Sequence, residues 1–598
     1  MPTPAILLGY QERILSLHTA ASQLRIGQMT AFAVMTLSVI FIALLAFFAF
    51  ARKGLPPASA LLPLPVAIYA GKAASKRNRM LLETLRLQTL YQRGVDRLEG
   101  RWAGSGITGD EMASQCHPFA KDLSVFGEGS LFEFICTCRT EVGRRHLAQF
   151  FLSAPTVKEI RRRQDAVREL QNNIKLRERL HLLGKYSFQE STWTTISEWL
   201  ESPVARAPAW FRALALTLSI FTAILALLRI LFVVSWSQIA LPMVGVLLIS
   251  GLLALAYRKR LLASQPAIRA LSLELEVLRQ GLALLQSQTF VSPLLSELVA
   301  SVAQSEAATQ VRQLERLAGI LRERDKEWFY HASRGLLVGT QAFLAIEKWR
   351  VKHGADLRRW LPAWGEFEAL MALATYAYEH PHNAFPQLAE TGRKLECVSA
   401  GHPLLPMDAC VRNDICWDDA RRFYVISGSN MAGKSTLLRT IGLNLVLAYA
   451  GAPVCAERMT ASRLAICASI AVQDSLLNGK SKFMAEMERI KLALNVPSEE
   501  GPVLFLVDEI LSGTNSKDRR MAAEAILRAL LQLGAVGALS THDLALTELA
   551  ELPELAGANI HMGSRIDSDP MDFDYLLKPG ITNQSSALAI ARLAGVAV

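Results

Sequence analysis

The sequence predicts two structural classes in one chain: an α/β domain at the C-terminal end and, before it, an all-helical region that two apolar hairpins interrupt. From about residue 401 onward, short apolar segments alternate with stretches of helical periodicity, which is typical of an α/β domain. Before that point, leucines recur at helical spacing with few helix breakers, and long uncharged runs separate the charged stretches. The first part is therefore predicted to be helical and the second α/β.

Length, charge and cysteine content limit the number of domains, the kind of partner and the state of the thiols that we expect. The chain has 598 residues, enough for several domains, and it is 51% hydrophobic with a net charge of +10. This charge fits a polyanionic partner, either nucleic acid or an anionic membrane surface, without choosing between them. The eight cysteines are scattered, and Cys136 and Cys138 have no second pair for a zinc site, so we expect reduced and mostly buried thiols.

Two pairs of apolar runs predict membrane-spanning hairpins. The first pair is 29–50 and 56–70, of which the second run is shorter and contains four prolines, and the second pair is 213–234 and 239–257. Most of the flanking positive charge follows the two pairs, at Lys72, Lys76, Arg77, Arg79, Arg258, Lys259 and Arg260. The positive-inside rule then predicts four spans in the inner (cytoplasmic) membrane, with both termini and the large polar segments in the cytoplasm. The alternative is two buried helical hairpins in a soluble protein.

We expect no cleavable signal peptide, because the first apolar run begins only at residue 29, after a polar, charged segment.

The helical stretches between and after the hairpins look like lever helices. The segment 156–180 is rich in arginine, glutamate and leucine, and Thr156 with Glu159 forms an N-terminal capping pattern. Its arginines could contact nucleic acid, but such runs are more often solvated helix faces with i,i+4 pairing.

A glycine-flanked loop between an apolar strand and a helix carries the clearest chemical signal. Gly428, Gly433, Lys434 and Ser435 fit the phosphate-loop pattern G-x-x-x-x-G-K-[ST]. The glycines let backbone N–H groups converge on phosphates at a helix N-terminus. Lys434 is expected to reach the β- and γ-phosphates, and the Ser435 hydroxyl to complete a Mg²⁺ shell. A chance glycine-rich turn is disfavoured because strand, loop and helix occur in the required order. The loop predicts binding of a nucleoside triphosphate.

Two further strand ends supply catalytic groups. The apolar run 503–507 ends in Asp508 and Glu509, of which the first is expected to hold Mg²⁺ through water and the second to polarise the attacking water. The run 538–541 ends in His542, which is placed to sense the γ-phosphate. We therefore predict Glu509, Lys434 and His542 as catalytic residues, Ser435 and Asp508 as metal ligands, and ATP and Mg²⁺ as the cofactors.

The same region resembles the MutS mismatch-repair ATPases. The phosphate loop has Asn430 and Met431 at its centre, as in that family and unlike generic transporter ATPases. Other stretches are similar to the family's motifs: Gly401-His402-Pro403, the segment 479–487 (GKSKFMAEM), Asp508-Glu509 followed by Gly513-Thr514-Asn515, Ser540-Thr541-His542, and the segment 575–595. The resemblance covers about 401–598 and extends more weakly to 122–170 and 263–400, which look like the family's lever segments.

The resemblance implies a P-loop NTPase domain of the ABC/MutS type and a homodimer with composite ATP sites. It assigns ATP binding to Gly428, Ser429, Asn430, Met431, Ala432, Gly433, Lys434, Ser435, Thr436 and Tyr575. Within this set Asn430 and Lys434 would contact the γ-phosphate, and Tyr575 would stack on the adenine. Ser481 would act in trans on the ATP of the neighbouring subunit.

The predicted organisation has six segments: an N-terminal polar segment 1–28, transmembrane hairpin 29–71, helical core 72–207, transmembrane hairpin 208–258, helical core 259–400, and ATPase domain 401–598. It leaves no room for the family's N-terminal mismatch-reading domain. Phe126-Gly127-Glu128 matches the letters of that domain's wedge, but it lies in the lever-like region, so we interpret the match as chance.

Three functional hypotheses remain. The first is a membrane-anchored, mismatch-repair-related ATPase that binds double-stranded DNA as a nucleotide-switched dimeric clamp. The second is a membrane-bound, ATP-driven switch that acts on a protein or lipid partner without binding DNA. A transporter of the ABC class is disfavoured, because Leu511-Ser512-Gly513 follows Asp508-Glu509 instead of preceding it.

Overall fold

The structure is a computed structural model that describes residues 4–51, 56–114, 117–184, 193–204, 208–231, 234–303, 306–324, 333, 336–429, 431–470, 482–496, 501–511, 516–566 and 569–582. As the leucine spacing predicts, the part before residue 380 is helical. Its helices are α1 (Pro4–Ala51), α2 (Leu64–Leu98), α3 (Leu131–Ile135), α4 (Glu141–Leu152), α5 (Val157–Leu170), α6 (Ile174–His181), α7 (Trp193–Glu201), α8 (Ala209–Ile230), α9 (Trp236–Gln286), α10 (Pro293–Ala303), α11 (Ala307–Arg324) and α12 (Val338–Glu379).

The first hairpin consists of α1 and α2, which run antiparallel, with the Gln28 amide donating to Asn78 Oδ1 at 3.1 Å. The polar segment 1–28 is not a separate element where it is described, because α1 continues through it without a break. The predicted second span is wrong: a 3₁₀ turn (Pro57–Leu61) precedes α2, which then runs on into charged sequence. Prolines favour such a start because they lack the backbone donor that a helix interior needs.

The second hairpin consists of α8 and the first half of α9. A capping box formed by Ser235 and Gln238 starts α9, whose 51 residues run far beyond the apolar segment. The predicted boundary at 258 therefore falls inside one helix. Across the described residues, three helices are long and apolar enough to cross a membrane, at Ala5–Ala49, Trp210–Ile230 and Trp236–Leu253, instead of the four that were predicted.

The arginine-rich segment 156–180 forms two helices instead of one. The capping box of Thr156 and Glu159 is present at the start of α5, as predicted, but the chain turns after Leu170 and Asn173 caps α6. The arginines of α5 are not simply solvated: Arg161 donates to the Leu388 carbonyl at 3.2 Å, and Arg163 donates to the Tyr449 carbonyl at 3.4 Å. Some arginines that were expected to face solvent therefore contact the α/β part of the protein.

The α/β part contains β1 (Gln387–Ala389), β2 (Leu395–Ala400), β3 (Asn413–Trp417), β4 (Phe423–Ser427), α13 (Lys434–Ala450), β5 (Arg458–Ser462), β6 (Ala465–Ser469), α14 (Lys482–Leu494), β7 (Val503–Asp508), α15 (Ser516–Gln532), β8 (Val536–Thr541), β9 (Gly557–His561), β10 (Ser564–Ile566), β11 (Asp569–Phe573) and β12 (Lys578–Pro579). A six-stranded sheet has the order β12-β9-β4-β8-β7-β6 and is parallel except for β12. A second sheet has the order β1-β5-β2-β3, so the α/β part begins before residue 401.

One hydrophobic core joins the helical and α/β parts. On α12, Trp360, Trp364 and Phe367 are fully buried in it. Asp122, which precedes α3, accepts a hydrogen bond from the backbone of Ile470 after β6 (2.9 Å), and its carbonyl accepts one from Arg439 on α13 (3.1 Å). The helix that follows the phosphate loop is therefore in direct contact with the helical part.

Candidate nucleotide site

A cavity of about 670 Å³ is lined by residues that follow β4 and by residues at the carboxyl end of β7. Ligands of α/β proteins bind at this edge because the ends of neighbouring parallel strands bring side chains from distant segments together. The predicted residues that line it are Met431, Gly433, Lys434, Ser435, Thr436, Asp508, Glu509 and Tyr575. Strand β8 lies between β4 and β7, so His542 follows the strand between the phosphate loop and the two acids.

Backbone geometry explains both glycines of the phosphate-loop pattern. Gly428 and Gly433 have φ angles of 153° and 94°, in a region that side chains disfavour. A Cβ at Gly428 would collide with the Met562 carbonyl oxygen, and one at Gly433 would lie 3.0 Å from the Tyr575 ring. The loop can therefore approach its neighbours closely only with glycine at these positions.

Lys434 is the first residue of α13, and its side chain lies inside the loop. Its Nζ donates to the carbonyl oxygens of Gly428 and Ser429, both at 2.8 Å. Burial lowers the pKa of Lys434, while the nearby carboxylates of Asp508 and Glu509 raise it. The ammonium group is thus held beside the cavity by weak backbone partners, which a phosphate oxygen could replace.

Asp508, at the end of β7, joins two hydroxyl groups. The Ser435 hydroxyl donates to Asp508 Oδ2 at 2.5 Å, and the Ser540 hydroxyl donates to Asp508 Oδ1. A hydroxyl and a carboxylate are the hard oxygen ligands that Mg²⁺ takes, usually with water completing the shell. These residues fit the predicted metal site.

Glu509 has an unusual backbone for its residue type. Its φ is 53°, and its N–H donates to the Ser540 carbonyl at 3.0 Å, which holds the residue in this left-handed conformation. Its Oε1 lies 3.0 Å from Nδ1 of His542. Non-glycine residues in such conformations are concentrated at functional sites, because the surrounding structure must enforce them. The predicted base and the predicted sensor are therefore direct partners.

The cavity is also lined by residues that, apart from His402, the motifs did not single out. Asn413 donates from Nδ2 to the Tyr575 carbonyl (3.0 Å) and accepts from the Leu577 N–H (2.8 Å), so it fixes the segment that carries Tyr575. Burial, with the charge of Arg439, lowers the pKa of His402 to about 4, so this cavity-lining histidine is neutral at pH 7. Leu405, Ala409, Val411 and Met562 also line the cavity. Of these residues, only His402 belongs to a motif that the sequence predicted, Gly401-His402-Pro403.

Some predicted residues cannot be compared with the structure. Asn430, Ser481 and the segment 512–515 lie outside the described residues, as do residues 583–598 of the terminal motif. Ser429 and Ala432 are in the described loop, and Ala432 is buried. Gly428 and Ser429 contribute the carbonyl oxygens that hold Lys434.

Comparison with known proteins identifies the C-terminal part. Residues 424–598 match the family model of MutS domain V. The DNA mismatch repair protein MutS of Thermus thermophilus is 31% identical over 293 residues, which are 49% of this chain and 33% of that protein. The MutS protein of Thermus aquaticus is 30% identical over the same shares, and Endonuclease MutS2 of Thermus thermophilus is 36% identical over 203 residues, 34% of this chain and 26% of that protein.

The chain therefore spans about a third or less of the length of the relatives it matches. The matched segments include the phosphate loop, the acids at the end of β7 and Tyr575, all of which lie within residues 424–598. Residues 424–598 thus carry a MutS domain V, and the chain is similar to MutS and MutS2 proteins over at most 49% of its own length.

Proposed function

We propose that this chain is a membrane-anchored ATPase whose nucleotide state moves its long helices. The observation that carries the proposal is the convergence of Lys434, Ser435, Asp508 and Glu509, from two distant segments, on one cavity. Tyr575 at the same cavity provides an aromatic face for the base. A nucleoside triphosphate fits because a lysine for its phosphates and an aromatic ring for its base line the same cavity.

The side chains have separate tasks in this mechanism. Lys434 exchanges the carbonyls of Gly428 and Ser429 for phosphate oxygens and neutralises the charge that develops during phosphoryl transfer. Ser435 and Asp508 would hold Mg²⁺, which would supply positive charge to neutralise the phosphates. Glu509 accepts the proton of the attacking water, and His542, at 3.0 Å, orients the carboxylate.

We further propose that two copies form the working unit and that the apolar helices insert in a membrane. Large apolar side chains on these helices are exposed, including Phe32 at 58% and Leu241 at 82%, and contiguous apolar surface of this extent needs a cover. The basic residues after each hairpin support an orientation with the ATPase on the cytoplasmic side.

Binding of double-stranded DNA is the proposed role of the dimer, as in a mismatch-repair clamp. An open groove formed by α9 and α11 is lined by four arginines and one glutamate, Arg279, Arg312, Arg316, Arg322 and Glu315. Such a surface suits a phosphate backbone. The alternative, a switch that acts on a protein or lipid partner without DNA, is favoured by α5, whose arginines contact this protein's own α/β part.

The ATPase proposal is tested by hydrolysis with the purified full chain in detergent. Replacement of the base in Glu509→Gln is expected to lower the rate by about a hundredfold or more, with nucleotide binding retained. Glu554→Gln, at an exposed ion pair with Arg528 in the same part, is the matched control and should hydrolyse like the parent chain. Equal rates for Glu509→Gln and the parent chain would refute the assignment of the base.

The DNA proposal is tested by binding of duplex DNA, with and without a mismatch, across a salt series. Binding that weakens steeply with salt supports contacts to the phosphate backbone. An Arg312→Ala/Arg316→Ala variant should reduce both affinity and salt dependence. Absence of binding at low salt would favour the switch without DNA.

A further inference from the structure

Two cysteines that are distant in sequence meet behind the nucleotide cavity. Cys410 lies in the loop between β2 and β3, and Cys455 lies in the turn that follows α13. Their thiol groups are close enough for each to influence the ionisation of the other. Both sulfur atoms lie beside Gly401, where an added Cβ would be 2.7 Å from Cys410 Sγ and 3.1 Å from Cys455 Sγ. The loop and the turn are thus held together at a pair of thiols.

The surroundings favour a thiolate on Cys410. The interaction with Cys455 lowers the pKa of Cys410 below its usual value; burial opposes this shift, while the His402 N–H and the charge of Arg412 add to it. The His402 N–H donates to Cys410 Sγ at 3.2 Å, and Arg412 Nη2 lies 3.8 Å from Cys455 Sγ. Cys455 keeps its proton, since both its interaction with Cys410 and its burial raise its pKa. A partly accessible thiolate beside a protonated thiol is the arrangement found at oxidisable cysteine pairs.

Cys416 on β3 provides the contrast. It is half-buried like Cys410, and it lies six positions further along the chain. Burial and the charges of Asp418 and Glu396 raise the pKa of Cys416 instead of lowering it. Exposure alone therefore does not distinguish the two residues, whereas their chemical surroundings do.

The thiol pair is connected to both walls of the nucleotide cavity. Ala409 and Val411, on either side of Cys410, line the cavity, while the sulfur atoms of Cys410 and Cys455 both lie beside Gly401. On the other side, the Cys455 N–H donates to Oδ1 of Asn444 on α13 (2.7 Å), and Nδ2 of Asn444 donates to the Gly401 carbonyl (2.9 Å). A change at the thiols is therefore transmitted to the loop and to the phosphate-loop helix.

We propose that Cys410 and Cys455 are a redox modification site, oxidised by a hydroperoxide to a disulfide that weakens nucleotide binding. The Cys410 thiolate attacks one oxygen of the peroxide, the O–O bond breaks, and the other oxygen leaves as alkoxide or hydroxide. The Cys455 sulfur then attacks the resulting sulfenic acid and displaces its hydroxyl as water, with the proton from Cys455. Two thiols lose two electrons and two protons, and the peroxide is reduced to water and an alcohol or, for hydrogen peroxide, to two waters.

The direction of the effect follows from the geometry. A disulfide draws Cys410 toward Cys455, so Ala409 and Val411 withdraw from the cavity and lose contact with a bound base. We expect nucleotide affinity to fall several-fold on oxidation and to recover with dithiothreitol. This effect rests on the proposed nucleotide site, whereas formation of the disulfide does not.

The experiment treats the reduced full chain with hydrogen peroxide and measures intact mass, cysteine-linked peptides and the affinity for a fluorescent ATP analogue. The expected result is loss of two hydrogens, a peptide linking 410 to 455, and weaker binding that reductant reverses. Cys410→Ser and Cys455→Ser should form no such link and keep their affinity under peroxide. Cys416→Ser is the matched control and should behave like the parent chain.

A measurement on the unaltered chain guards against misfolded variants. Limited iodoacetamide should modify Cys410 faster than Cys416. Faster alkylation of Cys416, no 410–455 link under peroxide, or a link that leaves affinity unchanged would overturn the inference. A reduced chain that binds no ATP analogue while the link still forms would instead refute the proposed nucleotide site.

Discussion

Two of the regions in which charged side chains are buried partner these charges in opposite ways. At the junction of α1, α2 and α12, Glu379 accepts from Arg97 Nε (2.8 Å), Arg97 Nη2 (2.5 Å) and the Tyr10 hydroxyl (3.3 Å), and the space left is about 10 Å³. At the nucleotide cavity, the hydrogen bonds that Lys434 makes within the described residues go to backbone carbonyls, beside about 670 Å³ of space, and Asp508 and Glu509 act on it through their charges alone.

The difference separates structural from functional charge. A buried charge that is matched by an opposite charge and enclosed contributes to stability, since removing its partner leaves an unpaired charge behind. A buried charge that faces a cavity is available to a ligand. Substitutions in the two regions should therefore change different quantities, binding at one and stability at the other.

The largest effect is expected at the cavity. Lys434→Ala removes charge-assisted hydrogen bonds to phosphate and should weaken ATP binding by about a hundredfold or more. Thermal stability should change little, because the hydrogen bonds that Lys434 makes within the described residues go to backbone carbonyls and the nearby carboxylates of Asp508 and Glu509 are not hydrogen-bonded to it there. Lys394→Ala, at an exposed lysine paired with Glu396, is the control and should keep its affinity. A large loss of stability in Lys434→Ala would erase the distinction between the regions.

The opposite pattern is expected at the junction. Glu379→Ala leaves the Arg97 guanidinium, which is only 11% exposed, without its carboxylate and should lower the free energy of unfolding by about 3 kcal/mol or more. ATP affinity of the folded protein should be preserved. Denaturant titration in detergent, alongside nucleotide binding, measures both quantities. Glu554→Ala at the exposed pair with Arg528 should not change stability measurably.

The stability of the helical part should depend on pH. Glu368 on α12 is fully buried, and burial raises its pKa to about 7, although hydrogen bonds from Thr140 and the Arg139 N–H oppose the shift. Because the folded state then binds its proton more tightly, stability from this group falls as pH rises from about 4.5 to 7, by on the order of 3 kcal/mol. Glu368→Gln should lack that slope, so the free energy of unfolding of the variant minus that of the parent chain should rise by about this amount over the same pH range. An unchanged slope would contradict the burial argument.

The smallest effect concerns the base end of the cavity. Loss of the ring in Tyr575→Ala should raise the Kd for ATP by about tenfold, which is typical of one lost base–aromatic stacking contact. Tyr575→Phe keeps the aromatic face and should bind like the parent chain. Equal weakening by both substitutions would mean that the hydroxyl, and not the ring, makes the contact.

The sequence predicts a site residue when its role follows from a local pattern, and it fails when the role depends on contacts made only in the folded protein. Lys434 and Asp508 belong to short local patterns, since a glycine loop before a helix and acids after an apolar strand can be recognised without knowing the fold. Asn413 and the Cys410–Cys455 pair have no such pattern, because their partners are brought near only by the sheets. The pairing of Tyr10 with Glu379, 369 positions apart, is of the same kind.

Hydropathy predicted the apolar helices less completely than the motifs predicted the site. The run 56–70 has the composition of a span, but its prolines delay the helix until Leu64, and the helix then enters charged sequence. The helix break before Asn173 could have been recognised, since asparagine is a favoured N-cap. The start of the α/β part at Gln387 could not, because β1 has only three residues and gains its place by pairing with β5.

One measurement tests the central claim most directly: calorimetric titration of ATP into the purified full-length Glu509→Gln chain, with and without Mg²⁺. The account predicts one ATP bound per chain, tighter binding with Mg²⁺ than with EDTA, and loss of binding when Lys434→Ala is added. Absence of binding, or binding that Lys434→Ala leaves intact, would contradict the assignment of this cavity as the nucleotide site.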